Sequence, residues 1–154
     1  MSLGSDFVEF IECLNRRGVE YLLVGGHALA FHGVPRFTKD IDFWVRPDGE
    51  NAARLLRSLA DFGFAGAGIT ADDFSTAGKV VQLGVAPNRI DLITRVDGVE
   101  FEEAFHERVV TTYHGIALSV LSLRLLIRNK RSTGRAQDAL DAETLETIAA
   151  RAKP

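Results

Sequence analysis

The sequence predicts an α/β (α+β) fold: a mixed β-sheet flanked by helices, in a single domain over residues 1–154. Two observations carry this expectation. Stretches with apolar residues at helical spacing alternate with short apolar runs bounded by glycine, proline and asparagine. Alternation of that kind builds a sheet with helices packed against it. The length of 154 residues suits one core of ordinary size.

Met1 to Leu3 read as an appended remnant, and no element is assigned to them. Asp6 to Arg17 places Phe7, Phe10, Ile11 and Leu14 on one helical face, with Ser5 as N-cap and Gly18 as stop. Glu20 to Val24 is the first strand. Gly26 to Phe31 is a short helix ended near Gly33 and Pro35. Asp40 to Val45 is the second strand, closed by Pro47, and Gly49 to Phe62 is helical. Gly63 to Gly78 carries four glycines and reads as a mobile surface segment. Within it, Thr70 and Asp73 have capping-box spacing, which makes Asp72 and Asp73 a helix cap rather than a metal site. Lys79 to Val85 and Arg89 to Thr94 are strands joined by a turn over Ala86 to Asn88. Phe101 to His106 is helical. Val109 to Tyr113 and Ile116 to Leu118 form a hairpin about His114-Gly115. Leu121 to Arg131 and Ala136 to Arg151 are helices parted by Gly134.

Hydrophobic residues make up 46% and charged residues 25%, so a folded, water-soluble chain is expected. The single cysteine, Cys13, excludes an internal disulfide, and with no secretory signal it points to the cytoplasm. No apolar run approaches the roughly 20 residues of a membrane span. A net charge of −3 argues against a dedicated nucleic-acid binder. Arg108 to Gln137 nevertheless lacks any acid and holds Arg108, Arg124, Arg128, Lys130, Arg131 and Arg135. That stretch is either a solvated helix face or a place where a triphosphate is met.

The chemistry concentrates between Tyr21 and Trp44. Asp40 and Asp42 stand two apart on a strand, which puts both carboxylates on one face while Ile41 and Phe43 turn inward. Two like charges so close need protons or a cation, and a hard divalent ion with oxygen ligands suits them. Asp91 interrupts a second apolar run, a poor place for a carboxylate unless it is used. If the two strands are neighbours, Asp91 completes a cluster in one cleft at the edge of the sheet. The alternative is that these acids cap turns or pair with Lys39, Arg89 and Arg36. Gly25 and Gly26 end one strand and open a helix, where bare backbone lets phosphate approach. Lys130 leaves its helix on the apolar side, beside Leu123, Leu126 and Ile127, and needs an anion. Asp138, Asp141 or a bound phosphate would serve, and Arg135 is a second basic candidate. Cys13, Trp44 and the phenylalanines read as core.

These residues resemble the nucleotidyltransferase superfamily of the DNA polymerase beta type. Its signature is Gly-Gly, a gap, then Asp-apolar-Asp-apolar, with a third Asp on a later strand. Gly25-Gly26, Asp40-Ile41-Asp42-Phe43 and Arg89-Ile90-Asp91-Leu92 fill these places. Within the superfamily the chain looks most like small bacterial proteins related to AbiEii-type toxins. It shares Gly25-Gly26-His27-Ala28, His32-Gly33, Arg36-Phe37-Thr38-Lys39-Asp40 and the late set Lys130, Arg135, Asp138 and Asp141. The resemblance implies transfer of a nucleoside monophosphate from a nucleoside triphosphate to an acceptor hydroxyl on RNA, protein or a small molecule. It implies two Mg²⁺ or Mn²⁺ ions held by Asp40, Asp42 and Asp91, with Gly25, Gly26, Lys130 and Arg135 toward the nucleotide. It also implies a toxin-like role beside an antitoxin protein. A non-catalytic nucleotide-binding or regulatory protein on the same fold is the competing reading. A phosphohydrolase is disfavoured because its acids would end a strand, whereas these begin one.

Overall fold

A computed structural model of the chain describes residues 3–66, 68–85 and 88–152. Its elements alternate as expected. They are α1 (Ser5–Arg16), β1 (Tyr21–Val24), α2 (Gly25–Phe31), β2 (Asp40–Val45), α3 (Gly49–Phe62), α4 (Asp72–Ser75), β3 (Val80–Leu83), β4 (Arg89–Ile93), α5 (Phe101–His106), β5 (Val109–Tyr113), β6 (Ile116–Val120), α6 (Leu123–Ser132) and α7 (Ala136–Ala152).

The strands form a mixed sheet in the order β3-β4-β2-β1-β6-β5. β1 runs antiparallel to β2 and parallel to β6, and β2 runs parallel to β4. β2 and β4 are interior strands, so the acids do not lie on a lateral edge of the sheet. They lie toward the ends where these two strands begin.

The alternation along β2 divides two layers. Ile41 and Phe43 are fully buried and face α1, where the Phe10 ring meets Phe43 at 5.6 Å and Phe62 of α3 at 5.1 Å. Asp40, Asp42 and Trp44 share the other face. There Trp44 is buried edge-to-face against Phe101 of α5, with ring centroids 5.1 Å apart.

Several local expectations need correction. Ser5 is the first residue of α1 and Gly4 is its N-cap, with no side-chain cap. Leu3 belongs to the fold: it is buried in the core, and its backbone N–H donates to the Tyr113 hydroxyl at 2.8 Å. α6 begins at Leu123, capped by the Ser122 hydroxyl, because Leu121 directly follows β6 and its backbone N–H donates to the Leu23 carbonyl of β1. The glycine-rich stretch is pinned by Phe74 of α4, which is fully buried. Asp73 accepts from the Thr70 backbone N–H at 2.8 Å, the return half of a capping box. Of the turn expected over Ala86 to Asn88, Ala86 and Pro87 lie outside the described residues. The β5–β6 turn is as expected, with both His114 and Gly115 at positive φ. No helix among the described residues is long and apolar enough to cross a membrane.

Candidate active site

The β2–β4 register places Asp42 directly beside Asp91, and Asp40 beside Arg89. All four side chains therefore rise from one face of the sheet. Asp42 is the most perturbed of them. Burial pushes its carboxyl up, the charge of and hydrogen bond with Asp91 push it further, Asp40 adds to this, and Arg89 only partly offsets it. The result is a pKa pushed up to about 7, so this carboxyl takes up a proton far more readily than an ordinary carboxylate.

Asp40 and Asp91 have a different partner. The Arg89 guanidinium donates through Nε to Asp91 Oδ1 at 3.0 Å and through Nη2 to Asp91 Oδ2 at 3.1 Å. The same Nη2 reaches Asp40 Oδ2 at 2.7 Å. Hydrogen bonding to Asp91, and the charges of all three acids, hold the Arg89 pKa above its ordinary value.

The glycine turn is tied to the same carboxyl. β1 pairs Val24 with Asp42, so the next residue, Gly25, passes beneath the Asp42 side chain. Gly25 has φ +68°, and a β-carbon on it would collide with Oδ2 of Asp42 and lie 3.0 Å from its Cγ. Gly26 is crowded as well: a β-carbon would stand 3.3 Å from Thr38. The glycines thus let Asp42 and the loop before β2 lie against the opening of α2. The space beside Gly25 belongs to a carboxylate.

Across from this turn, α6 and the link between α6 and α7 bring in Lys130 and Arg135. A cavity of about 230 Å³ is lined by Gly25, Asp42, Arg95, Asn129, Lys130 and Arg135 among others. Lys130 is at the same time held internally, with Nζ 3.1 Å from Asp138 Oδ1 and 3.8 Å from Asp141 Oδ2. Arg135 Nε bonds Asp138 Oδ2 at 2.9 Å, and its side chain is largely exposed. Burial raises the Asp138 pKa, but the hydrogen bonds from Thr133 and Lys130 and the charges of Lys130 and Arg135 outweigh it, leaving it below the ordinary value. Asp141 also receives Arg36 Nη2 at 2.5 Å, which ties the loop before Asp40 to α7.

The rest of the acid-free stretch is mostly spent on glutamates from elsewhere. Arg124 pairs with Glu103 and Glu107, Arg128 with Glu103, and Arg131 with Glu146. Arg108 donates to the Phe105 carbonyl. It is not an open anion site apart from the Lys130 and Arg135 end.

The donor chemistry at the strand ends fits a hard divalent cation. Asp42 and Asp91 are neighbouring carboxylates, burial and then Asp91 raise the Asp42 pKa, and a bound cation would favour the charged form. Asp40 is drawn toward Arg89. Among the described residues no three His, Cys, Asp or Glu side chains already surround one point.

No family model and no curated protein matches the chain. Solved structures do. A candidate nucleotidyltransferase from Thermotoga maritima superposes with a TM-score of 0.58 at 19% identity, covering 94% of this chain and 91% of that one. A lincosamide antibiotic adenylyltransferase bound to lincomycin gives 0.53 at 13% identity, over 95% of this chain and 98% of that one. The enzyme ANT(2″)-Ia in complex with adenylyl-2″-tobramycin gives 0.51 at 16% identity, over 94% and 93%. The chain therefore has the nucleotidyltransferase fold.

Proposed function

We propose that this protein is a metal-dependent nucleotidyltransferase that moves a nucleoside monophosphate from a nucleoside triphosphate to an acceptor hydroxyl. The observation that carries it is the convergence of Asp40, Asp42 and Asp91 on one sheet face, against the Gly25 turn and opposite Lys130. In this reading Asp40, Asp42 and Asp91 hold two Mg²⁺ or Mn²⁺ ions. When bound, such ions stabilise the attacking and leaving oxygens of an in-line displacement at phosphorus.

The protein's own groups do the remainder. Asp91 accepts the acceptor hydroxyl's proton. Lys130 and Arg135 present positive charge to the triphosphate from the far wall of the cavity. Arg36, bonded to Asp141, braces the loop that leads into Asp40. The similar structures bound to lincomycin and to adenylyl-2″-tobramycin make a small hydroxylated molecule the first acceptor to try, ahead of RNA or protein. A toxin-like role beside an antitoxin rests on the sequence resemblance, and growth arrest on induction, lifted by Asp42→Asn, is its test.

One observation favours the non-catalytic alternative: Arg89 already pairs with both Asp40 and Asp91. The two readings separate in one experiment. A nucleoside triphosphate with Mg²⁺ should raise the melting temperature, since a ligand bound only to the native state stabilises it. With a hydroxylated acceptor present, pyrophosphate should then be released. Stabilisation without pyrophosphate across RNA, protein and small-molecule acceptors supports the binding protein instead.

A further inference from the structure

Among the described residues, Asp40 and Asp91 take side-chain hydrogen bonds from one cation only, Arg89. Its position is dictated by the sheet. It stands across from Asp40 in the β2–β4 ladder and two residues before Asp91 on its own strand, so it shares their face. Its fork grips both oxygens of Asp91 and bridges to Asp40, and no other residue of the proposed site joins two of the acids in this way. The side chain is about one-third exposed, which leaves it a way out toward the cleft.

We infer that Arg89 is a resident counter-cation. It holds Asp40 and Asp91 in place while the site is empty, gives way when metal and nucleotide load, and then passes its guanidinium to a phosphate of the nucleotide. This rests on the nucleotidyltransferase reading. The reason is competition for the same oxygens. Asp91 gives both carboxylate oxygens to the guanidinium, and a divalent ion on those oxygens would sit within a few ångströms of a fixed positive charge. The guanidinium keeps its charge at any working pH. Once displaced it needs an anion, and the planar fork that fits a carboxylate also fits a phosphate. Arg89 is therefore a positioning residue for the acids in the empty protein and a nucleotide contact in the loaded one.

The consequence is a characteristic pair of opposite effects. Arg89 opposes metal bound alone and favours metal bound with nucleotide. By linkage the two ligands then assist each other. The test uses Mn²⁺, followed by loss of the free-ion paramagnetic resonance signal, and a nucleoside triphosphate whose α- and β-phosphates are joined by methylene so that it does not react. In Arg89→Met the affinity for Mn²⁺ alone should rise about tenfold, while affinity for the Mn²⁺–nucleotide complex falls about tenfold, changes of the size common for coupled sites. Arg89→Lys keeps a charge but loses the fork. It should shift both affinities in the same directions by less, and it serves if the methionine variant does not fold.

Three outcomes overturn the inference. If both affinities rise, Arg89 is only a repelling charge. If both fall, it is a fixed support that metal needs. If neither changes, it is outside the site. Wild-type protein that binds no Mn²⁺–nucleotide complex overturns the nucleotidyltransferase reading itself, which keeps the two failures apart.

Discussion

The carboxylate of Asp42 stands where a β-carbon on Gly25 would have to be. The glycine at the end of β1 and the second acid of β2 are thus one device, because Val24 and Asp42 are paired in the ladder. Gly25→Ala forces a left-handed backbone onto a residue that disfavours it and drives a methyl group into the carboxylate. Destabilisation of about 2 kcal/mol or more is expected in urea unfolding. Stabilisation by Mg²⁺ and nucleotide should be lost as well. An alanine variant as stable as wild type would mean that the turn and Asp42 are not in contact.

The raised pKa of Asp42 gives the empty protein a pH dependence of definite sign. Its carboxyl sits at about 7 when folded against 3.8 ordinarily, by burial and by Asp91. Between about pH 4 and pH 7 the folded chain holds a proton that the unfolded chain has lost, so stability from this group falls as pH rises through that window. His27 and His32, whose pKa values burial lowers, act the other way below about pH 6.5. The difference between wild type and Asp42→Asn isolates the carboxyl. The variant should gain stability relative to wild type as pH goes from 5 to 8, measured by melting temperature. Mn²⁺ affinity of wild type should rise over the same range, as metal replaces the proton.

Lys130 has an internal role that the variant Lys130→Met exposes. Its ammonium lies against Asp138 and Asp141, and Asp141 Oδ2 has no hydrogen-bond partner among the described residues. Asp141 is 3% exposed, so it cannot turn to water. Removing Lys130 should cost about 3 kcal/mol of stability. Because Lys130 also lines the cavity beside Gly25 and Asp42, affinity for the triphosphate should fall, by about 1.5–3 kcal/mol. A stability loss with unchanged nucleotide affinity would confine Lys130 to the internal pair.

How much of this the chain displays in one dimension depends on the range of the interaction. The shared face of Asp40 and Asp42 follows from the two-residue period of a strand, and the burial of Ile41 and Phe43 follows from the same period. That Asp91 is the neighbour of Asp42 follows only from a parallel pairing between strands about fifty residues apart, which no local pattern encodes. Arg89 and Arg36 were both legible as candidate partners for acids. Arg89 pairs with Asp40 and Asp91, whereas Arg36 goes to Asp141 on α7, more than a hundred residues away. The basic stretch misleads for the same reason. Its arginines are free along the sequence and are matched in space by Glu103, Glu107 and Glu146. Leu3 was beyond reach because the core it joins is assembled from β5 and α1 together.

A nucleotidyltransferase moves the α-phosphoryl group together with its nucleoside. The most direct test incubates the protein and Mg²⁺ with two preparations of one nucleoside triphosphate, labelled at the α- or the γ-phosphate, and a panel of hydroxylated acceptors. The α-label should move to an acceptor, the γ-label should appear only in pyrophosphate, and Asp91→Asn should abolish both. Acceptor carrying the γ-label, or α-label transfer undiminished in Asp91→Asn, would contradict the proposed function.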